Sequence, residues 1–135
     1  MAMRSDKENV IVHKTFQFAL QVIQYTEGLR DLRKFDMASQ LFRSGTSIGA
    51  NVMEAQNAES KIDFIHKFKI ACKEADETIY WLRLCKESIQ YPDPDPQLLK
   101  DFLEINRIIS KIISTTKRGG REPISGPSST DFQIT

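Results

Sequence analysis

The sequence predicts an all-α fold, an antiparallel up-down-up-down four-helix bundle, on three observations. No segment of the 135-residue chain alternates convincingly between apolar and polar residues with period two, so no strand is expected. Apolar residues recur instead at spacings of three and four in four separate segments. Short connections join these segments, which makes consecutive helices antiparallel neighbours. An irregular α domain is the runner-up.

The first helix is expected to begin near Ser5, where S-D-K-E offers a capping box with Glu8. Its buried stripe would be Ile11, Thr15, Phe18, Val22 and Tyr25, with Val12, Phe16, Ala19 and Ile23 beside it. Gly28 marks its end or a weak point, and the basic connector LRDLRKF follows. The second helix would start at Asp36 as N-cap and run to about Ala58. The third opens at Ser60, where S-K-I-D is another capping box with Asp63. Its stripe would be Ile65, Phe68, Cys72, Ala75, Ile79 and Leu82, then Ile89. It stops at YPDPDP, because proline cannot donate the next backbone bond and restricts the residue before it. The fourth takes Asp95 as N-cap and Pro96 at the first helical position. Leu98, Phe102, Ile105, Ile109 and Ile112 form its inner face, widened by Leu99, Ile108 and Ile113. Residues 1–118 are thus expected to form one bundle domain. Residues 119–135, rich in Gly, Pro and Ser, are expected to form a disordered tail.

The stretch SGTSIGAN, Ser44 to Asn51, asks whether the second segment is one helix or two. A loop there would scramble the apolar phase. Yet Ala38, Leu41, Gly45, Ile48, Val52 and Ala55 follow steps of three and four without a break. A phosphate loop is excluded too, since neither G-x-x-x-x-G-K-[ST] nor G-x-G-x-x-G is present and no strand precedes it. The stretch is therefore helical, and each glycine costs about 1 kcal/mol against alanine. Close approach of a neighbouring helix at Gly45 and Gly49 would offset that cost. Beside the glycines, Gln40, Ser44, Ser47, Asn51 and Glu54 form a polar stripe of mostly short side chains. Solvated faces favour long charged side chains, so this stripe is read as an interface with Lys73, Glu74 and Glu77 of the third helix. The bland alternative is a solvent-facing stripe of no consequence.

Nineteen basic residues balance eighteen acidic ones, for a net charge of +1. That balance argues against a dedicated binder of bare nucleic-acid backbone and leaves room for a local basic patch. The N-terminus has no long apolar run, so no signal peptide is expected, and no stretch approaches a membrane span. Cys72 and Cys85 lie on one helix, too far apart to bridge, and read as small core hydrophobes in a reduced, cytoplasmic setting. No metal site is expected. Only Asp63-x-x-His66 approaches the ligand pattern of di-metal bundles, and His13 is the sole other histidine. No nucleophile setting such as G-x-S-x-G is present, so no catalytic residue, no cofactor and no enzyme are expected.

Two patterns carry a family resemblance. Q-L-F-R-S-G-T-S-I-G-A-N-V-M-E-A, followed by D-F-I-H-K-F-K-I-A-C-K-E-A-D-E-T-I-Y-W-L, closely resembles the four-helix-bundle proteins encoded in 23S rRNA intervening sequences. These are often labelled S23 ribosomal proteins, and the accessory protein of diversity-generating retroelements is a relative. The similarity covers roughly Val10 to Ile113. It implies a bacterial protein, an antiparallel four-helix bundle, assembly into a ring-shaped homopentamer, and a role with RNA or in a nucleic-acid-processing complex.

Two basic groups would supply contacts to phosphate: Arg30, Arg33 and Lys34 in the first connector, and Lys69 and Lys73 on the third helix, with His66 above them. Their plain alternative is solvation or pairing with Asp76 and Glu77. In a ring, a small patch repeated around the axis gains avidity. The expected interface residues are Ser44, Gly45, Ser47, Gly49, Asn51, Glu54, Glu74, Glu77 and Trp81. Phe16, Phe18, Phe42, Phe64, Phe68 and Phe102 read mostly as core. Tyr80 and Trp81 are adjacent and cannot both face one core, so one of them is expected to meet another subunit. Phe64, Ala71 and Thr78 form a second stripe that a single bundle need not bury. The reading is a non-enzymatic, homo-oligomeric, RNA-associated or ribonucleoprotein accessory module. Its alternative is a protein-binding scaffold that binds no nucleic acid.

Overall fold

The computed structural model describes residues 9–119, which hold four helices: α1 (Val10–Asp31), α2 (Phe35–Ala55), α3 (Lys61–Glu87) and α4 (Pro96–Gly119). The capping box at Ser5 and Glu8, and the tail from residue 120, lie outside the described residues. Among the described residues there is no strand.

The touching pairs are α1–α2, α2–α3, α3–α4 and α1–α4. Contacts across α1–α2, α2–α3 and α1–α4 run in opposite chain order. Thr15 meets Gly49 and Val22 meets Gly45. Ser44 meets Thr78, and Glu54 meets Lys67. Lys14 reaches Glu104, and Gln21 reaches Asp101. Phe18, Leu41, Ile48, Phe68, Leu82, Ile105 and Ile109 are among the buried side chains of the core they enclose. Phe18 and Phe102 join α1 to α4, with ring centroids 6.0 Å apart. A buried side chain of this size contributes about 1.5–3 kcal/mol through loss of its contact with water.

Local chemistry sets most helix ends. Ser60 Oγ accepts the Asp63 amide at 3.0 Å, while Asp63 Oδ2 accepts the Glu59 amide at 3.2 Å, a reciprocal cap in the manner of the capping box. Asp95 Oδ1 accepts the Gln97 amide at 2.9 Å, with Pro96 at the first helical position.

Four ends differ from the sequence expectation. α1 continues through Gly28 to Asp31. It ends in a Schellman motif: Lys34 N–H donates to the Leu29 carbonyl and Arg33 N–H to the Arg30 carbonyl, both at 2.8 Å. Arg33 takes the left-handed position of that motif at φ 64°, where glycine is the usual occupant. α2 accordingly starts at Phe35, behind Lys34, which makes no side-chain cap. Asp36 is not the N-cap. It sits in the first turn, where its carboxylate favours the positive end of the helix dipole. α2 stops at Ala55 rather than Ala58, in a turn where the Gln56, Asn57 and Ala58 amides bond three residues back. α3 stops at Glu87, so Ile89 lies beyond it and is 98% exposed instead of extending the stripe.

The buried face of α3 is also rotated from the expected one. Phe68, Ala71, Ala75, Thr78, Leu82 and Cys85 are buried, whereas Ile65, Cys72 and Ile79 are half-buried. Ala71 and Thr78 therefore belong to the core of a single chain. The cause is the close α2–α3 seam, which turns the small residues of α3 toward α2.

Candidate functional site

Residues 44–53 carry no charge, and α2 runs through them as one uninterrupted helix. Its glycines are where α1 comes closest. A Cβ on Gly45 would lie 2.8 Å from both γ-carbons of Val22. One on Gly49 would lie 3.2 Å from the Thr15 carbonyl oxygen. The slender middle of α2 thus serves the α1 contact within one chain. The hydroxyl of Thr15 does not compete for α2, because it bonds back to the Ile11 carbonyl at 2.8 Å.

The polar stripe of α2 behaves differently at each residue. Ser44 is buried, with its hydroxyl 3.0 Å from that of Thr78 on α3. Thr78 Oγ1 is also 2.7 Å from the Glu74 carbonyl. One hydroxyl proton cannot serve both contacts. Thr78 therefore donates to the carbonyl and accepts from Ser44, which satisfies both buried groups. Ser47 and Asn51 do not reach Glu74 or Glu77. Ser47 Oγ donates to the Arg43 carbonyl at 2.6 Å, and Asn51 Nδ2 donates to the Ser47 carbonyl at 2.9 Å. Short polar side chains here close onto their own helix, as serine and asparagine readily do.

The partner of Glu74 and Glu77 is Arg43, a residue the stripe argument missed. Its guanidinium bonds Glu74 at 3.2 Å and also bonds Glu77. Glu77 in turn accepts the Trp81 indole N–H at 3.2 Å. Trp81 is half-buried and meets Tyr80 edge-on, with centroids 5.2 Å apart, while Tyr80 stays exposed. Glu54 is bonded to Lys67 at 2.8 Å, which raises the Lys67 pKa through the hydrogen bond and the carboxylate charge. Lys73 is exposed and takes no part in this seam.

The connector cations each rest on an aromatic ring. Arg30 lies 5.4 Å from the Phe42 centroid and bonds Glu27 at 3.3 Å. Arg33 lies 5.7 Å from Phe35, and Lys34 lies 5.1 Å from Tyr91. His66, Lys69 and Lys73 are all exposed on α3.

Burial works against nucleophilic chemistry at both thiols. The pKa of Cys85 is pushed up by burial, and that of Cys72 by burial and by Asp76. A reactive thiol needs the opposite shift. Among the described residues, no group of three or more His, Cys, Asp or Glu side chains is placed to hold a metal ion. Asp63 is occupied as a helix cap. No helix among them is long and apolar enough to cross a membrane.

A surface that sequence reasoning assigned mostly to the core lies astride α1 and α2. Phe16 is 58% exposed, Leu20 46%, Met53 40%, Phe42 37% and Ile23 36%. Phe16 and Phe42 are therefore surface residues. Phe16, Leu20 and Ile23 follow steps of four and three along α1, so they share one face. The signal available in the sequence was the absence of charge. Neither residues 15–26 of α1 nor residues 44–53 of α2 include a single Asp, Glu, Lys or Arg. Tyr80 and Leu84 of α3 and Leu103 of α4 are also exposed.

The family model described as "23S rRNA-intervening sequence protein" matches residues 7–113. A similar solved structure is a protein with unknown function from the S23 ribosomal protein family of Bacteroides thetaiotaomicron VPI-5482. It is 40% identical, with a TM-score of 0.71, covering 78% of this chain and 99% of that one. No curated protein matches the chain.

Proposed function

The chain belongs to the 23S rRNA-intervening sequence protein family, and from that premise we propose that it is a non-enzymatic bacterial assembly module. Its antiparallel up-down-up-down bundle joins copies of itself into a cytoplasmic ring, a pentamer, that accompanies RNA or a ribonucleoprotein complex. The observation that carries the assembly is the exposed apolar face of Phe16, Leu20, Ile23 and Met53, which lie in stretches without charge, with Phe42 at its edge beneath Arg30. A contiguous apolar face of this kind marks an interaction surface. Tyr80, Leu84 and Leu103, on α3 and α4, give a second apolar patch to receive it. Two different patches on one chain make a head-to-tail contact, which closes into a ring when the rotation permits. The opposite contact order across the helix pairs supports the up-down arrangement. The cations Lys69 and Lys73, exposed and without an ion-pair partner among the described residues, support the RNA association.

Light scattering on the purified chain is the direct test. The expected mass is five times the 15.5 kDa of one chain, and Phe16→Asp with Leu20→Asp is expected to reduce it to that of one chain. A single-chain mass for the unaltered protein at micromolar concentration would overturn the ring. A ring that retains no RNA at low salt would favour the second reading, a scaffold whose ring recruits a protein partner through its outer surface.

A further inference from the structure

The cations of this chain are not equally available. At the connector end, Arg30, Arg33 and Lys34 are laid on Phe42, Phe35 and Tyr91. They stand among Glu27, Asp31 and Asp36, with Asp93 close to Tyr91 in the chain. At the opposite end the balance reverses. The stretch from Ile105 to Gly119 of α4 holds Arg107, Lys111, Lys117 and Arg118 and no carboxylate. In the first half of α3, Lys67 is neutralised by Glu54, and Glu74 by Arg43. That leaves Lys69 and Lys73 without an ion-pair partner among the described residues, with Asp76 three residues beyond Lys73 and Asp63 at the start of the helix, where it accepts the Glu59 amide.

Packing brings these two half-helices together. Cys72 of α3 lies beside Ser110 of α4. Lys69 and Lys73 flank the first residue of that contact along α3, and Arg107 and Lys111 flank the second along α4. All four are exposed, as are Lys117 and Arg118. Beside them an open depression of about 520 Å³ is lined by Ser110, Ile113, Ser114, Lys117 and Arg118. Its serine hydroxyls and cations suit phosphate oxygens.

We propose that the first half of α3 and the second half of α4 form one docking surface for the RNA phosphate backbone, and that the α1–α2 connector is not part of it. The inference rests on the RNA-associated reading above and fixes where on the molecule the RNA lies. Bundles that associate through their sides keep like ends together. The ring therefore presents this surface repeatedly on one rim, and weak single contacts sum to useful avidity. The contacts are to backbone, so affinity depends on salt and little on sequence.

The test compares two full-length triple variants with equal changes in net charge. One is Lys69→Glu, Arg107→Glu and Lys117→Glu; the other is Arg30→Glu, Arg33→Glu and Lys34→Glu. Binding of a fluorescein-labelled, unstructured single-stranded RNA is followed by anisotropy across a KCl series. Circular dichroism and light scattering verify fold and assembly. The α3–α4 variant is expected to lose at least tenfold in affinity, and its log–log salt slope is expected to flatten by roughly 2, at ~0.7 per contact for single strands. The connector variant is expected to stay within threefold of the parent. Equal losses in both variants, or RNA binding that neither alters, would overturn this surface while leaving the RNA-associated reading in place. No binding by the parent protein at low salt would sink both. Binding to phosphatidylserine vesicles without binding to RNA would sink both as well.

Discussion

Val22 of α1 presses both its methyl groups onto bare backbone at Gly45 of α2: a Cβ at that glycine would lie 2.8 Å from each of them. Both residues are buried, so neither can move aside into solvent. The contact explains why α2 tolerates glycine at the middle of a helix.

Gly45→Ala should therefore destabilise the protein even though alanine is the better helix former. Propensity favours the variant by about 1 kcal/mol, while overpacking a core contact costs about 1–3 kcal/mol. The expected net result is a Tm lowered by several degrees, on the scale of ~4 °C per kcal/mol for a domain of this size. Adding Val22→Ala should recover part of the loss, because the clash and the cavity compensate. A raised Tm for Gly45→Ala alone would show that α1 does not need this close approach. Gly49→Ala should be milder, because its nearest neighbour stands at 3.2 Å.

The two remaining backbone positions invert that logic. Gly28 lies inside α1, and a Cβ added there would meet nothing within 4 Å. Arg33 has the left-handed φ that suits glycine. Gly28→Ala should stabilise by about 0.5–1 kcal/mol. Arg33→Gly should gain about 0.5 kcal/mol, since relief of left-handed strain exceeds the loss of an exposed cation–π contact. Urea midpoints report both, with an unchanged m-value as the check on two-state unfolding. A lower midpoint for either variant would contradict the geometry described.

Alkaline pH should weaken the fold through Tyr25 and Cys85. Tyr25 donates its hydroxyl to the Pro92 carbonyl at 2.6 Å. Burial, then the neighbouring Cys85 thiol, pushes its pKa far above the ordinary 10.0. Burial likewise raises Cys85 above the ordinary 9.0. The unfolded chain ionises at those ordinary values while the folded chain keeps its protons. Unfolding therefore releases protons, and stability falls as pH rises above about 9. Below about pH 8 these two groups contribute no slope. Tyr25→Phe should cost about 1 kcal/mol at pH 7 through the lost hydrogen bond. It should also flatten the decline of Tm between pH 9 and 11; an identical decline would rule Tyr25 out as its source.

Much of the chain could be read before folding because its local rules are strong. The Ser60 and Asp95 caps, the helical phase through Ser44–Asn51 and the apolar faces of α2 and α4 each follow from neighbours within a few residues. The interaction surfaces were less legible. Charge neutrality between Lys14 and Glu27 was visible, yet a run of apolar residues reads equally as core. Lys69 and Lys73 stood out as cations. Arg107 and Lys117 did not, because adjacency of α3 and α4 follows from the short connection between them, whereas which flank of α4 lies next to Lys69 and Lys73 is set by packing.

The sequence by itself determined the four helices of residues 9–119, where α3 and α4 begin, and that α2 is thin at its centre. Those are consequences of backbone hydrogen bonding and of side chains repeating every 3.6 residues. Only the tertiary structure decided how far α3 turns toward α2, that Phe16 and Phe42 face outward, and that Arg43 rather than Ser47 or Asn51 answers Glu74 and Glu77. The physical reason is angular: each residue advances about 100° around a helix. Periodicity therefore locates a stripe, but which flank of it is buried depends on the neighbouring helices.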